Sequence, residues 1–188
     1  MNRSERIRWG VWLLSGLLIG GLLLWGGRRT AITRPPSLEA QLDAAFWKAE
    51  AGEPLQPQEK TALTTRLTEL TDSVPRLYAQ GVVFQLLYGE GLSAPPMVYV
   101  QRLRQLAEDP WVRAYLGRLA WYTGQLDKAR AYLQEALTQD SSCVPAYLFL
   151  ARVVPDSACY WLDQAARHPL SAGQKAYLHQ LKSRQRCL

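Results

Sequence analysis

The chain has 188 residues, with 22 Lys and Arg against 16 Asp and Glu and a formal net charge of +6. This length suits one domain with an appendage and argues against a multi-domain protein. Residues 1–34 carry six arginines and one glutamate, a local charge of +5, whereas the remainder, with 16 basic and 15 acidic residues, is nearly neutral. Because the excess charge is confined to one end, the sequence argues against a nucleic-acid partner.

The segment 9–27 contains no charged residue. As a helix it would be about 28 Å long, which is close to the hydrocarbon thickness of a bilayer. Tryptophans near both ends, and arginines directly after it, suit the two headgroup regions. We therefore predict a transmembrane anchor over 9–27 after a basic tail over 1–8. The residues predicted to hold it in the bilayer are Trp9, Trp12, Trp25, Arg28 and Arg29.

The alternative for this segment is a cleaved signal peptide. No small-x-small cleavage site follows it, and Arg28 and Arg29 come at once, so an uncleaved anchor is favoured. Three arginines precede the span and three follow within ten residues. The positive-inside rule therefore leaves the orientation of the anchor open.

After a linker over 28–36, the domain over 37–188 is predicted to consist of successive helices. Apolar residues recur at spacings of three and four, Gly or Pro interrupts nearly every gap, and no convincing strand alternation occurs. The predicted helices are 37–51, 58–71, 74–88, 95–108, 110–122, 126–139, 143–154, 156–168 and 171–186. Short gaps favour antiparallel neighbours. We predict an all-α protein, with one N-terminal transmembrane helix followed by an α-helical solenoid of hairpins.

The segment 110–143 places small and apolar residues at characteristic positions, and it contains the turn sequence GQLDKA. These residues are Gly117, Gly124, Ala129, Leu133 and Ala136. The pattern resembles the tetratricopeptide repeat. Its departures from that family are Arg113, Ala120 and Ser141, where the family favours Trp, Tyr and Pro.

The resemblance implies that the small residues let the two helices of each hairpin approach closely, and that Gly117 lies at their contact. It extends to a shortened repeat over 144–170, in which Pro155 truncates the turn between the helices. A degenerate hairpin precedes these repeats over 74–109. The segment 171–187 is predicted to be the capping helix that covers the last apolar face of a solenoid.

In this family the first helices of successive repeats line a concave groove that binds a partner. The resemblance assigns Trp111, Ala114, Arg118, Trp121, Tyr122, Leu148 and Arg152 to that groove. Arg118 and Arg152 are 34 residues apart at equivalent positions. Their guanidinium groups would share one wall, which suits the capture of a carboxylate. Solvated arginines and partly buried aromatic residues are the structural alternative.

Catalysis and cofactor binding are not predicted. The two histidines, His168 and His179, belong to no H-x-x-x-H motif, and no GxSxG, P-loop or GxGxxG pattern occurs. The cysteines show no C-x-x-C spacing of the kind that binds a metal. We therefore expect no catalytic residues, no metal site and no cofactor. The alternative from a different class is an enzyme whose site is completed by a partner.

The three cysteines, Cys143, Cys159 and Cys187, are predicted to be unpaired. Cys143 and Cys159 begin consecutive antiparallel helices and so lie at opposite ends of their hairpin, beyond disulfide reach. Counted along straight helices, Cys187 lies about two turns, or roughly 10 Å, beyond the level of Cys159. Unpaired thiols favour a cytoplasmic or stromal domain.

Taken together, these features predict a single-pass membrane protein of a bacterial cell membrane or a thylakoid. Its helical domain would bind another protein or a membrane protein complex and hold it at the membrane, as an assembly or maturation factor. A permanent accessory subunit of a membrane complex is the alternative. The sequence leaves open the partner, the organism, the oligomeric state, and whether the groove binds a peptide or a folded surface.

Overall fold

A computed structural model describes residues 36–67, 73–89 and 96–187. The predicted anchor over 9–27 and the five residues predicted to hold it in the bilayer lie outside this part of the chain, so the anchor stays a prediction. None of the described helices has the length and the hydrophobicity that a membrane span requires.

Nine α-helices make up the described part of the chain, which contains no strand, so the all-α prediction is confirmed there. They are α1 (Leu38–Glu50), α2 (Pro57–Leu67), α3 (Pro75–Tyr88), α4 (Pro96–Gln105), α5 (Pro110–Tyr122), α6 (Leu126–Gln139), α7 (Val144–Val153), α8 (Ala158–Ala165) and α9 (Ala172–Gln185). Helices α2 to α5 each begin at a proline, whose missing N–H costs nothing in the first turn. Ser37, Asp109 and Ser171 cap the N-termini of α1, α5 and α9 through their side chains.

The hairpin of α5 and α6 has the close packing that the sequence predicts. A Cβ atom at Gly117 would lie 2.8 Å from Leu133 Cγ and 3.2 Å from the Ala129 carbonyl oxygen. The predicted position of Gly117 at the helix contact is therefore confirmed. Gly124, with φ of 76°, lies in the left-handed conformation that turns the chain from α5 into α6.

The next hairpin is shortened at the predicted proline. Pro155–Ser157 forms a 3-10 turn between α7 and α8, and α8 has only eight residues. Its apolar positions, Ala158 and Leu162, are nevertheless buried. Helix α9 follows and packs against α8 and α1.

Helix α1 lies against the inner face shared by α3, α5, α7 and α9. Phe46 contacts Tyr88 of α3 and Tyr115 of α5, with ring centroids 6.5 and 5.4 Å apart. Trp47 contacts Phe149 of α7 at 5.6 Å and Tyr177 of α9 at 5.4 Å. Phe46 and Trp47 are completely buried. Helix α1 is thus a central element of the core.

The prediction of three unpaired cysteines is wrong, because Cys159 and Cys187 form a disulfide with Cα atoms 5.3 Å apart. The prediction assumed a tight turn between α8 and α9 and a straight final helix. Six residues separate α8 from α9 instead, and Arg186, with φ of 54°, turns the chain so that the Cys187 N–H donates to the Lys182 carbonyl. Cys143 is unpaired and buried, and burial raises the pKa of its thiol to about 12.

Candidate functional site

The groove predicted on the inner face is occupied by α1, so the expectation of an open groove is corrected. The predicted groove residues range from buried to exposed: Ala114, Leu148 and Arg118 are buried, Trp111, Trp121 and Arg152 half-buried, and Tyr122 exposed. The physical reason is the apolar face of α1, whose large aromatic side chains are removed from water in this position. Contact of these residues with another protein is not tested and stays a prediction.

Arg118 and Arg152 do converge on one carboxylate, as their 34-residue spacing suggests. The carboxylate belongs to Glu50 at the end of α1. Arg118 Nε lies 2.7 Å from Glu50 Oε1, and Arg152 Nη1 lies 3.5 Å from Glu50 Oε2. The Glu50 side chain is 0% exposed and that of Arg118 is 7% exposed. The two arginines therefore hold a residue of the same chain in a desolvated ion cluster.

Two tyrosines and a tryptophan complete this cluster. Arg118 Nη2 donates to the Tyr88 hydroxyl at 3.2 Å, and Arg152 Nη1 donates to the Tyr177 hydroxyl at 3.0 Å. Both guanidinium groups lie over the ring of Trp121, 4.5 and 4.2 Å from its centroid. The cluster thus combines charge-assisted hydrogen bonds with two cation–π contacts.

Burial and charge shift the pKa values in this cluster. Burial alone would lower the pKa of Arg118, but the Glu50 carboxylate outweighs it and the pKa is raised. Burial, and then the charge of Glu50, raise the pKa of Tyr177 to about 12, and the pKa of Tyr88 is raised by the same two causes. Both tyrosines therefore remain protonated at neutral pH.

The C-terminus of α1 is capped beside this cluster. The carbonyl oxygen of Ala51 accepts hydrogen bonds from Gln180 Nε2 at 2.9 Å and from Arg184 Nη2 at 3.1 Å. Arg152 Nη1 lies 3.5 Å from the Glu50 carbonyl oxygen. Cations at a helix C-terminus compensate its unpaired carbonyl groups and its dipole. We call this region, with Glu50 at its centre, the sealed end.

At the N-terminal half of α1 the domain has a cleft of about 730 Å³, which we call the open cleft. It is bounded by α1, α3, α5 and the segment 169–174. Asp43 lies on its α1 side, where Asp43 Oδ1 accepts hydrogen bonds from Trp47 Nε1 at 2.8 Å and Gln80 Nε2 at 3.4 Å. Part of the inner face is therefore accessible beside α1.

The sequence interpretation missed Glu50 and the two tyrosines that accept hydrogen bonds from the arginines. One signal was present, because Glu50 follows Phe46 and Trp47 on α1 at helical spacing and so places an acid on the apolar face. Of the histidines, His168 stacks on Tyr147 with ring centroids 5.5 Å apart, and His179 is exposed. The described residues contain no group of three His, Cys, Asp or Glu side chains that could hold a metal ion.

Comparison with known proteins identifies the repeat. Residues 99–153 match the family model of the tetratricopeptide repeat. No curated protein and no solved structure matches the chain. The matched segment contains all of α5, α6 and α7, including the contact at Gly117. Over this segment, the match to the tetratricopeptide repeat agrees with the observed hairpin packing.

Proposed function

We propose that the chain is a membrane-anchored scaffold that binds another protein and holds it at the membrane, as an assembly or maturation factor. The observation that carries the proposal is the tetratricopeptide segment over 99–153, since such repeats generally mediate protein–protein interactions. The uncharged segment 9–27 supports the membrane anchor. The function is then one of placement, without chemistry of its own.

The occupied groove bears on how the partner is bound. Because Phe46, Trp47 and Glu50 of α1 fill the inner face, a peptide cannot extend along the whole groove while α1 is in place. The partner is therefore expected at surfaces that α1 leaves accessible, and the open cleft is a concave surface of this kind. This favours recognition of a local feature on a folded partner.

The disulfide supports a location for the domain. Cys159 and Cys187 are paired, whereas the one free cysteine, Cys143, is buried and has a raised pKa. Disulfides persist in oxidising compartments and are rare in the cytosol. We therefore propose that the helical domain lies on the oxidising side of its membrane, in the bacterial periplasm or the thylakoid lumen, and not on the cytoplasmic or stromal side.

Site-specific photo-crosslinking in intact membranes tests the scaffold function. A benzoylphenylalanine at Leu77, which lines the open cleft, should capture one predominant partner protein. The same group at Tyr160, an exposed residue that does not line the cleft, is the matched control. Equal product patterns from the two positions, or no protein product from either, would contradict the proposal. Copurification of the partner at fixed stoichiometry would favour the accessory subunit.

The location is tested by thiol labelling of intact cells with a membrane-impermeant maleimide. On the oxidising side, Cys159 and Cys187 should label only after an impermeant reductant is added, and a Cys159→Ser, Cys187→Ser variant should not label. Buried Cys143 should react only after denaturation, because its thiolate is scarce at neutral pH. Labelling that requires cell lysis would place the domain in the cytoplasm or stroma.

A further inference from the structure

The open cleft has the size and the mixed lining of a binding site. Its volume of about 730 Å³ lies within the range of about 300–1,000 Å³ that is usual for ligand pockets. Leu77, Trp111 and Leu170 supply apolar walls. The polar groups converge on the side of α1, where Glu39 and Asp43 occupy successive turns of the helix. A ligand here would meet carboxylates next to apolar surface.

The charges that line the cleft are unbalanced. Arg76 is its one basic lining residue, and Arg76 Nε is already paired with Asp109 Oδ2 at 3.3 Å. The Arg76 guanidinium also lies 4.9 Å from the centroid of the Trp111 ring. Asp43, by contrast, accepts its hydrogen bonds from the neutral donors of Trp47 and Gln80. Within the described part of the chain, the Asp43 carboxylate therefore has no cationic partner.

A second, independent feature is the hydroxyl group of Tyr115. This residue is 2% exposed and lines the cleft, yet among the residues that the structure describes its hydroxyl makes no hydrogen bond. The hydroxyl is not fully buried, so it opens into the cleft and can hydrogen-bond to a bound group. Burial, and then the charge of Asp43, raise the pKa of Tyr115 well above its usual value, so its oxygen stays neutral and able to accept.

We propose that the open cleft receives a lysine or arginine side chain of the partner protein, whose cationic group binds the Asp43 carboxylate and the Tyr115 hydroxyl. The inference rests on the proposed scaffold function and specifies the partner's chemistry. The aliphatic stem of such a side chain packs on apolar surface while its head forms charge-assisted hydrogen bonds. The cleft is much larger than one side chain, so the flanking peptide backbone fits beside Leu77 and Leu170.

The experiment uses the full chain in detergent micelles and two blocked pentapeptides, Ala-Leu-Lys-Leu-Ala and the same peptide with norleucine for lysine. Trp47 Nε1 donates to Asp43, so the NMR signal of this indole N–H reports on the site directly. The lysine peptide should shift that signal and bind at least about tenfold more tightly than the norleucine peptide, because only lysine pairs with the carboxylate. Equal binding of the two peptides would overturn the inference.

Two variants and a control locate the interaction. Asp43→Asn keeps an oxygen that can accept from Trp47, so it should fold while weakening the lysine peptide about tenfold. Tyr115→Phe should weaken it roughly threefold. Asp163→Asn, at a half-exposed pair with Lys182 outside the cleft, should have no effect. Undiminished binding by Asp43→Asn would overturn the inference.

A small amine is the other possible source of a cationic group, and a binding measurement with n-butylamine distinguishes it from a peptide. Tight binding of n-butylamine alone, equal to that of the lysine peptide, would assign the cleft to a small amine and overturn the peptide proposal. Failure of the peptide experiment is also distinct from failure of the scaffold function. Photo-crosslinking from Leu77 tests whether a partner binds at all, and it does not depend on the partner's charge.

Discussion

The two ends of α1 present carboxylates to the inner face in opposite ways. At the sealed end, Glu50 is 0% exposed and is surrounded by the cations Arg118 and Arg152. At the open cleft, Asp43 on the same helix accepts only from neutral donors. A buried carboxylate with cationic partners holds elements of the fold together, whereas a partly buried carboxylate with neutral partners keeps its charge available to a ligand. The comparison therefore assigns a structural role to Glu50 and a role in ligand binding to Asp43.

The largest expected effect follows from breaking the sealed end. Glu50→Ala leaves the buried guanidinium of Arg118 without its counter-ion, which should lower the free energy of unfolding by about 3–5 kcal/mol in urea titration. Asp163→Ala is the matched control. It removes an acid from a pair with Lys182 whose carboxylate is 56% exposed, and it should cost less than about 1 kcal/mol. Similar losses in the two variants would remove the distinction between the ends.

The disulfide also supports the sealed end, because it holds the C-terminus of α9. Gln180 and Arg184 of α9 donate to the Ala51 carbonyl at the end of α1. Reduction should lower the free energy of unfolding by about 2–4 kcal/mol. It should also speed amide hydrogen exchange in α9 and at the C-terminus of α1 more than in α5 and α6, which serve as the internal reference. A uniform increase would contradict this coupling.

The regular part of the fold was predictable because its determinants are local. Gly117, Ala129 and Leu133 lie within one repeat, and their spacing alone indicated the helix contact that is observed. The turn at Pro155 was equally local. These features depend on residues close together in the chain, so a family pattern and simple helix geometry are sufficient to find them.

The sealed end was not predictable in the same way. Arg118 pairs with Glu50 across 68 residues of sequence, and Arg152 does so across 102. The 34-residue spacing correctly indicated that the two arginines share one carboxylate. The spacing does not indicate whether that carboxylate belongs to the same chain or to a partner. Similarly, the Cys159–Cys187 pair depends on the length of the loop before α9 and on the turn at Arg186. Docking of distant helices decided these contacts.

An alkaline titration should reveal the contribution of Tyr177 at the sealed end. The pKa of Tyr177 is raised to about 12 from a usual value of 10, so between these values the folded state holds a proton that the unfolded state has lost. The free energy of unfolding is therefore unaffected below pH 10 and should fall by about 2–3 kcal/mol towards pH 12. Tyrosinate absorbance, followed with urea unfolding at each pH, measures this. Tyr177→Phe should remove this part of the decrease in the free energy of unfolding with pH.

The smallest expected effect is at the open cleft, where Tyr115→Phe removes a hydroxyl that has no hydrogen bond to the described residues. The free energy of unfolding should change by no more than about 0.5 kcal/mol, since no protein partner is left unpaired. Tyr177→Phe is the matched contrast, because its hydroxyl accepts from Arg152 at the sealed end. It should cost about 1.5–3 kcal/mol, as expected for a hydrogen bond to a charged group. A loss above about 1 kcal/mol for Tyr115→Phe would mean that the fold already uses this hydroxyl, and the cleft would lose its unmet acceptor for a cation.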